Sequence, residues 1–162
     1  KAPIILYNVP GRTGSMMHVD TILQLAEHEN IVAVKEASGN FDHNMQLLKN
    51  KSDDFLVISG DDNYTLPFIS LGMAGVISVI GNAYPKEFSQ MVRYALDSNF
   101  ENARYLHYRL LPMINAIFED GNPGGIKCVL EALDICGTTM REPLYPILPT
   151  VSEKLKSLVA AM

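Results

Sequence analysis

Ile31-Val32-Ala33-Val34-Lys35-Glu36-Ala37-Ser38-Gly39 runs four apolar, largely β-branched residues straight into a lysine, then into small turn-forming residues. An apolar run of this length, closed by Ser38-Gly39, predicts a parallel strand buried on both faces. Lys35 then falls where strand gives way to loop, the end at which α/β proteins bind ligands. Loss of water and apolar neighbours at that place would disfavour the charged ammonium. A lysine able to shed its proton near neutral pH is a nucleophile towards carbonyl carbon and forms a Schiff base. The plainer alternative is a lysine whose stem packs on the strand while its head reaches water. Taken alone, the residue does not separate the two.

Outward from this stretch, strands and helices alternate. Residues 3–8 (PIILYN) read as a strand, and 9–14 (VPGRTG) as a loop rich in turn residues. A helix over about 19–29 carries Val19, Ile22, Leu23, Leu25 and Ala26 at helical spacing. After the lysine strand at 31–35 come a helix at 41–50, a strand at 55–58 (FLVI), a helix at 63–71 and a strand at 75–79 (GVISV). Pro85 opens a further helix, on which Phe88, Met91, Val92, Ala95 and Leu96 form an apolar stripe. Strand followed by helix, four times over, is the pattern of a parallel α/β sheet. From about residue 100 only helices are expected, near 100–118, 125–136 and 150–161, which sets a boundary near residue 98.

The chain has 162 residues, 48% hydrophobic and 19% charged, the balance of an ordinary globular protein. A net charge of −5 argues against nucleic acid or an anionic membrane as partner. No apolar run approaches membrane-spanning length, and the opening Lys1-Ala2-Pro3-Ile4-Ile5-Leu6 carries no signal-peptide pattern. A chain that begins without methionine and enters an apolar strand at once reads as a fragment. Cys128 and Cys136 fall in a helix-like stretch, about 12 Å apart by helical rise. They cannot bridge there, and free thiols imply a cytoplasmic protein.

Tyr7 and Lys35 lie near the C-terminal ends of successive strands. Neighbouring strands run about 4.8 Å apart, so phenol and amine could reach one bound molecule, the phenol shuttling protons at an imine. A tyrosine that packs its ring and bonds its hydroxyl to the backbone fits the position as well. Arg12, between glycines above Tyr7, could hold a carboxylate in bidentate fashion or be an exposed loop residue with no such role. Strand alternation sends Glu36 to the face opposite Lys35, so it is not read as the lysine's base. Asp61-Asp62 is most simply a helix N-cap; without histidine or a third carboxylate at ligand spacing, a metal pair is the weaker reading. His18, His28, His43 and His107 read as surface or cap residues. Gly72-Met73-Ala74-Gly75 follows a helix and leads into a strand, the reverse of a nucleotide-binding loop.

Tyr7-Asn8-Val9-Pro10-Gly11-Arg12-Thr13-Gly14, Val34-Lys35-Glu36-Ala37-Ser38-Gly39, Ser59-Gly60-Asp61-Asp62 and Gly75-Val76-Ile77-Ser78-Val79 together resemble the dihydrodipicolinate synthase family. The resemblance implies an α/β chain: the C-terminal half of a TIM (β/α)8 barrel over residues 1–98, followed by an all-helical domain over 99–162. It implies a class I aldolase-type lyase that condenses pyruvate with L-aspartate-4-semialdehyde on the route to diaminopimelate and lysine. Lys35 would form the imine, Tyr7 relay protons and Arg12 anchor the aldehyde substrate's carboxylate. Gly60 and the backbone carbonyl of Ile77 would line the pyruvate pocket. No metal or organic cofactor is implied, and homotetramers are the family's usual assembly.

Two departures from the family stand out. Its first four βα units are absent, so the 162 residues alone are expected to be inactive and to need the missing N-terminal half-barrel as partner. The glycines of Gly121-Asn122-Pro123-Gly124-Gly125 replace a further proline of many members and should loosen that loop. Two rivals stand beside this reading: a sugar-acid lyase resembling N-acetylneuraminate lyase, and a non-catalytic half-barrel module. Arg12 and Gly60-Asp61-Asp62 favour the synthase over the sugar-acid lyase.

Overall fold

The structure, a computed structural model, describes residues 2–162. Three parallel strands, β1 (Ile4–Asn8), β2 (Ile31–Glu36) and β3 (Leu56–Ser59), lie in the order of the sequence. The register sets Tyr7 opposite Lys35 and Lys35 opposite Ile58; one step further on, Asn8, Glu36 and Ser59 form a row. Between the strands run α1 (Pro10–Thr13), α2 (Val19–Ala26) and α3 (Phe41–Asn50); α4 (Thr65–Ser70) follows β3. The helices α5 (Pro85–Leu96), α6 (Phe100–Phe118), α7 (Gly124–Ala132) and α8 (Pro149–Ala160) complete the chain.

The chain divides into two compact units. Residues 1–78 and 92–100 make the first, and 79–91 with 101–162 the second, so α5 contributes to both. In the first unit Val34 and Val57 point from the sheet into a core with Ile22 of α2, Leu47 of α3, Phe55, Phe68 of α4 and Met73. Strand alternation leaves the other face with Ile5, Tyr7 and Leu56, each close to half exposed. The strands are therefore covered on one face by the described residues, whereas their continuous apolar composition predicts cover on both.

Local chemistry accounts for the element ends. Asn40 caps α3 by accepting from the His43 backbone N–H at 3.0 Å. Gly39 supplies the left-handed turn, φ +64°, that carries β2 into that cap. The loop expected at 9–14 is one helical turn, α1, closed by Gly14 in the left-handed region.

The strand expected at 75–79 is reduced to a single bridge, Val76 beside Ser59. Its backbone still follows β3: Ala74 N–H donates to the Val57 carbonyl, Ser59 N–H to that of Gly75, and Ile77 N–H to that of Ser59. Among the described residues β3 is its sole strand neighbour.

In the second unit α7 packs on α8, with Cys128 Sγ 3.3 Å from Ser152 Oγ. Cys136 lies past the end of α7 and is exposed, so the two thiols share no helix, and both are free. Of the glycines in the loop 121–125, Gly124 and Gly125 have no room for a side chain. Both glycines are buried in the first turn of α7, and a Cβ on Gly125 would lie on top of the Ile117 carbonyl. They are sites of close backbone approach rather than slack. No described helix is long and apolar enough to cross a membrane.

Candidate active site

The C-terminal ends of β1, β2 and β3 bring several of the expected residues together. The pairing of Tyr7 with Lys35 turns both side chains to the half-exposed face, and Lys35 Nζ stands 4.3 Å from the centre of the Tyr7 ring. An ammonium over the face of a phenol is attracted by the ring quadrupole. The aromatic ring thus serves as a rest for the lysine head.

Gly60 closes the third side. A Cβ there would sit 2.6 Å from Ala37 Cβ and 3.2 Å from both the Glu36 carbonyl and Lys35 Cε. The Gly60 N–H donates to that same Glu36 carbonyl at 2.7 Å. Absence of a side chain is therefore what lets the β3 turn press against the lysine stem.

Asp61 follows directly. Burial, and then the negative charges of Glu36 and Asp62, push its carboxyl above the ordinary value of 3.8, while Lys35 pulls the other way. Its backbone is fixed by Ser59, whose hydroxyl donates to the Asp61 carbonyl and accepts from the Asp61 N–H. The same carbonyl accepts from Thr65 Oγ1 at 2.9 Å. The N-cap expected of the Asp61-Asp62 pair falls instead on Tyr64, which makes no side-chain cap bond.

Arg12 is exposed on α1, in the turn that begins two residues after β1. Ile77 lies next to Val76, its N–H spent on the Ser59 carbonyl. Among the described residues no group of three or more His, Cys, Asp or Glu side chains could hold a metal ion.

Directly behind the lysine lies a cluster whose joint role the sequence reading did not see. Glu36 is fully buried on the helix-covered face. Its Oε2 accepts from Asn8 Nδ2 and its Oε1 from the Ser38 N–H, both at 2.7 Å. His43 Nε2 stands 3.2 Å from Oε2, off the ideal hydrogen-bond direction. His43, read from sequence as a surface or cap residue, is buried, and so is His107 on α6, whose position within that helix is covered. A signal was available: Asn8 and Glu36 are polar at positions where strand alternation predicts an apolar core residue.

The fold is thus an α/β half-barrel with Tyr7, Lys35 and Gly60 at the strand C-termini. All 162 residues match the family model described as "Dihydrodipicolinate synthetase family", and the chain belongs to that family. It is 48% identical over 158 residues to the 4-hydroxy-tetrahydrodipicolinate synthase of Phocaeicola vulgatus, covering 97% of this chain and 53% of the relative. To the synthase of the same name from Flavobacterium psychrophilum it is 50% identical over 154 residues, covering 94% and 53%. The crystal structure of dihydrodipicolinate synthase from Aquifex aeolicus superimposes with a TM-score of 0.95 at 39% identity, over 98% of this chain and 55% of that one. The chain spans about half the length of the curated relatives it matches, and its architecture is that of the C-terminal half of the family's barrel with the helices that follow.

Proposed function

We propose that this chain carries the imine-forming half of a pyruvate-condensing lyase. The reaction would join pyruvate to L-aspartate-4-semialdehyde, giving 4-hydroxy-tetrahydrodipicolinate. The observation that carries the reading is the apposition of Lys35 Nζ and the Tyr7 ring on neighbouring parallel strands.

In this reading the Lys35 amine adds to the keto carbon of pyruvate. The tetrahedral adduct loses water as the Tyr7 hydroxyl gives up and takes back a proton, leaving a protonated imine. That cation draws electrons from the methyl carbon, which loses a proton to become an enamine and attacks the aldehyde carbon. The imine is the electron sink, so the chemistry calls on no metal or organic cofactor. Gly60 and the Ile77 carbonyl would border the pyruvate, and Arg12 would pair with the carboxylate of the second substrate.

Residues 1–98 would form the second half of the barrel, with 99–162 a helical domain. The half-exposed row of Ile5, Tyr7 and Leu56 supports a lumen that an N-terminal half-barrel closes. A cytoplasmic homotetramer is the assembly this reading predicts.

The test is trapping. Pyruvate and borohydride added to the protein with its barrel complete should add a reduced pyruvyl group to the Lys35 peptide; without borohydride, pyruvate and the semialdehyde together should give product. Pyruvate release from N-acetylneuraminate would assign the sugar-acid lyase instead. No mass gain on that peptide would leave a non-catalytic module.

A further inference from the structure

The face of β2 opposite Lys35 holds a buried polar cluster whose bonds reach every strand end at the site. Glu36 has no exposed surface, yet its carboxylate meets three separate segments. Asn8 at the end of β1 donates to it, the Ser38 N–H of the following loop donates to it, and His43 of α3 stands against it. Asn8 extends the cluster by accepting from the Met17 N–H at 3.1 Å. The main chain of the same residues completes the set: the Ala37 N–H donates to the Asn8 carbonyl and the Gly60 N–H to the Glu36 carbonyl.

Buried polar groups that are bonded help specify one arrangement; left unbonded they are expensive, and here Asn8 and Glu36 are bonded while His43 Nε2 stands close without a hydrogen bond. Each anchored residue is next in sequence to, or in contact with, a member of the site. Asn8 follows Tyr7, Glu36 follows Lys35, and a Cβ on Gly60 would lie 3.2 Å from Lys35 Cε.

We propose that Asn8, Glu36 and His43 are positioning residues, which lock β1 against β2 so that the Tyr7 hydroxyl and the Lys35 amine act on the same carbonyl. None of the three touches substrate; they act through the strand ends they join. The proposal rests on the imine-forming role of Lys35 and adds to it the element that sets the geometry.

The chemistry of the cluster supplies its own rescue. In Glu36→Gln the side chain can accept from Asn8 or Ser38 but not from both, and an amide then faces an amide. Adding Asn8→Asp reverses the donor and acceptor of that bond and keeps a single buried carboxylate.

The experiment measures the rate of borohydride-trapped pyruvate adduct on the Lys35 peptide, together with kcat and KM, in the protein with its barrel complete. In Glu36→Gln the trapping rate and kcat should fall about tenfold to a hundredfold, the order expected from a misplacement near 1 Å. The KM for pyruvate should move much less. Asn8→Asp added to Glu36→Gln should recover most of the lost rate. His43→Ala, at the rim of the cluster, should give a smaller fall and serves as the working variant if Glu36→Gln does not fold. Trapping at the wild-type rate in folded Glu36→Gln, or in His43→Ala where that variant stands in, would overturn the proposal. So would a double variant no faster than the single one. Failure of the wild type itself to trap pyruvate on Lys35 would instead overturn the function from which the proposal starts.

Discussion

Replacing Gly60 with alanine adds one methyl group at the place where β3 meets the lysine stem. That methyl would stand 2.6 Å from Ala37 Cβ, so the two must part by about 0.8 Å to reach the 3.4 Å of ordinary contact. Ala37 cannot yield alone. Its N–H is bonded to the Asn8 carbonyl, and the neighbouring Glu36 carbonyl holds the Gly60 N–H at 2.7 Å. Relief must come from shifting the end of β2, which carries Lys35, or from breaking the bond between Glu36 and Gly60. Overpacking of this kind costs about 1–3 kcal/mol, and Tm falls by about 2–4 °C per kcal/mol in a protein of this size class. The kinetic effect should exceed what that loss of stability suggests. Lys35 Cε also lies 3.2 Å from the new methyl, and a displacement near 1 Å at a reacting group costs about a hundredfold in rate. Steady-state turnover and the rate of pyruvate trapping, with Tm beside them, form the assay. A Gly60→Ala protein with wild-type turnover would refute the claim that β3 confines the lysine, and a lowered Tm with unchanged turnover would make Gly60 a packing residue only.

Tyr7→Phe removes the hydroxyl and keeps the ring on which Lys35 Nζ rests. Turnover should fall by about a hundredfold to ten-thousandfold, the usual share of a proton-relay group, while Tm holds because the ring is half exposed; equal turnover would remove the relay role. Asp61 favours folding while protonated, since its folded-state pKa lies above the ordinary 3.8, and it loses that contribution as pH rises through the raised value. Asp61→Asn should therefore gain stability over wild type at neutral pH and lose the advantage in acid, read as Tm against pH; a constant difference would show that the carboxylate is not strained. Burial lowers the pKa of His107 below 6.5, so stability drains away as pH falls from 6.5 through the lowered value. Urea unfolding of His107→Leu should show a shallower loss over that range, and parallel pH profiles would exclude His107 as the source.

The sheet was legible because its signals are local. Ile31 to Val34 need only their own β-branched side chains to declare a strand, and the register that puts Tyr7 beside Lys35 follows from sequential pairing. The fourth strand is shorter than its composition predicts: Gly75 to Val79 have strand composition, but beside β3 they form one bridge, at Val76, with three backbone bonds around it. Gly124 and Gly125 looked like slack because sequence cannot show that the Ile117 carbonyl occupies the space a side chain would need. The Glu36 cluster escaped because Asn8 lies 28 residues away along the chain and meets Glu36 only through the sheet register. Its trace in the sequence was indirect, polar residues at the inward-packing positions of consecutive strands.

Period-two alternation gives the two faces of these strand ends opposite tasks. On the proposed function Tyr7 and Lys35 have to be reachable by a molecule from solution, which burial among helices would prevent. Asn8, Glu36 and Ser59, one residue further on, are buried and bonded, so they can fix the backbone. A reactive amine needs both conditions, since an accessible head on a mobile strand would forfeit the alignment that makes the phenol useful. The same alternation explains the apolar inner row. Ile5 and Leu56 lie about half exposed on the same face as the lysine, and the imine proposed for Lys35 would hydrolyse as readily as it forms if water surrounded it. On the proposed function the row would be one wall of a dry chamber, closed by an N-terminal half-barrel.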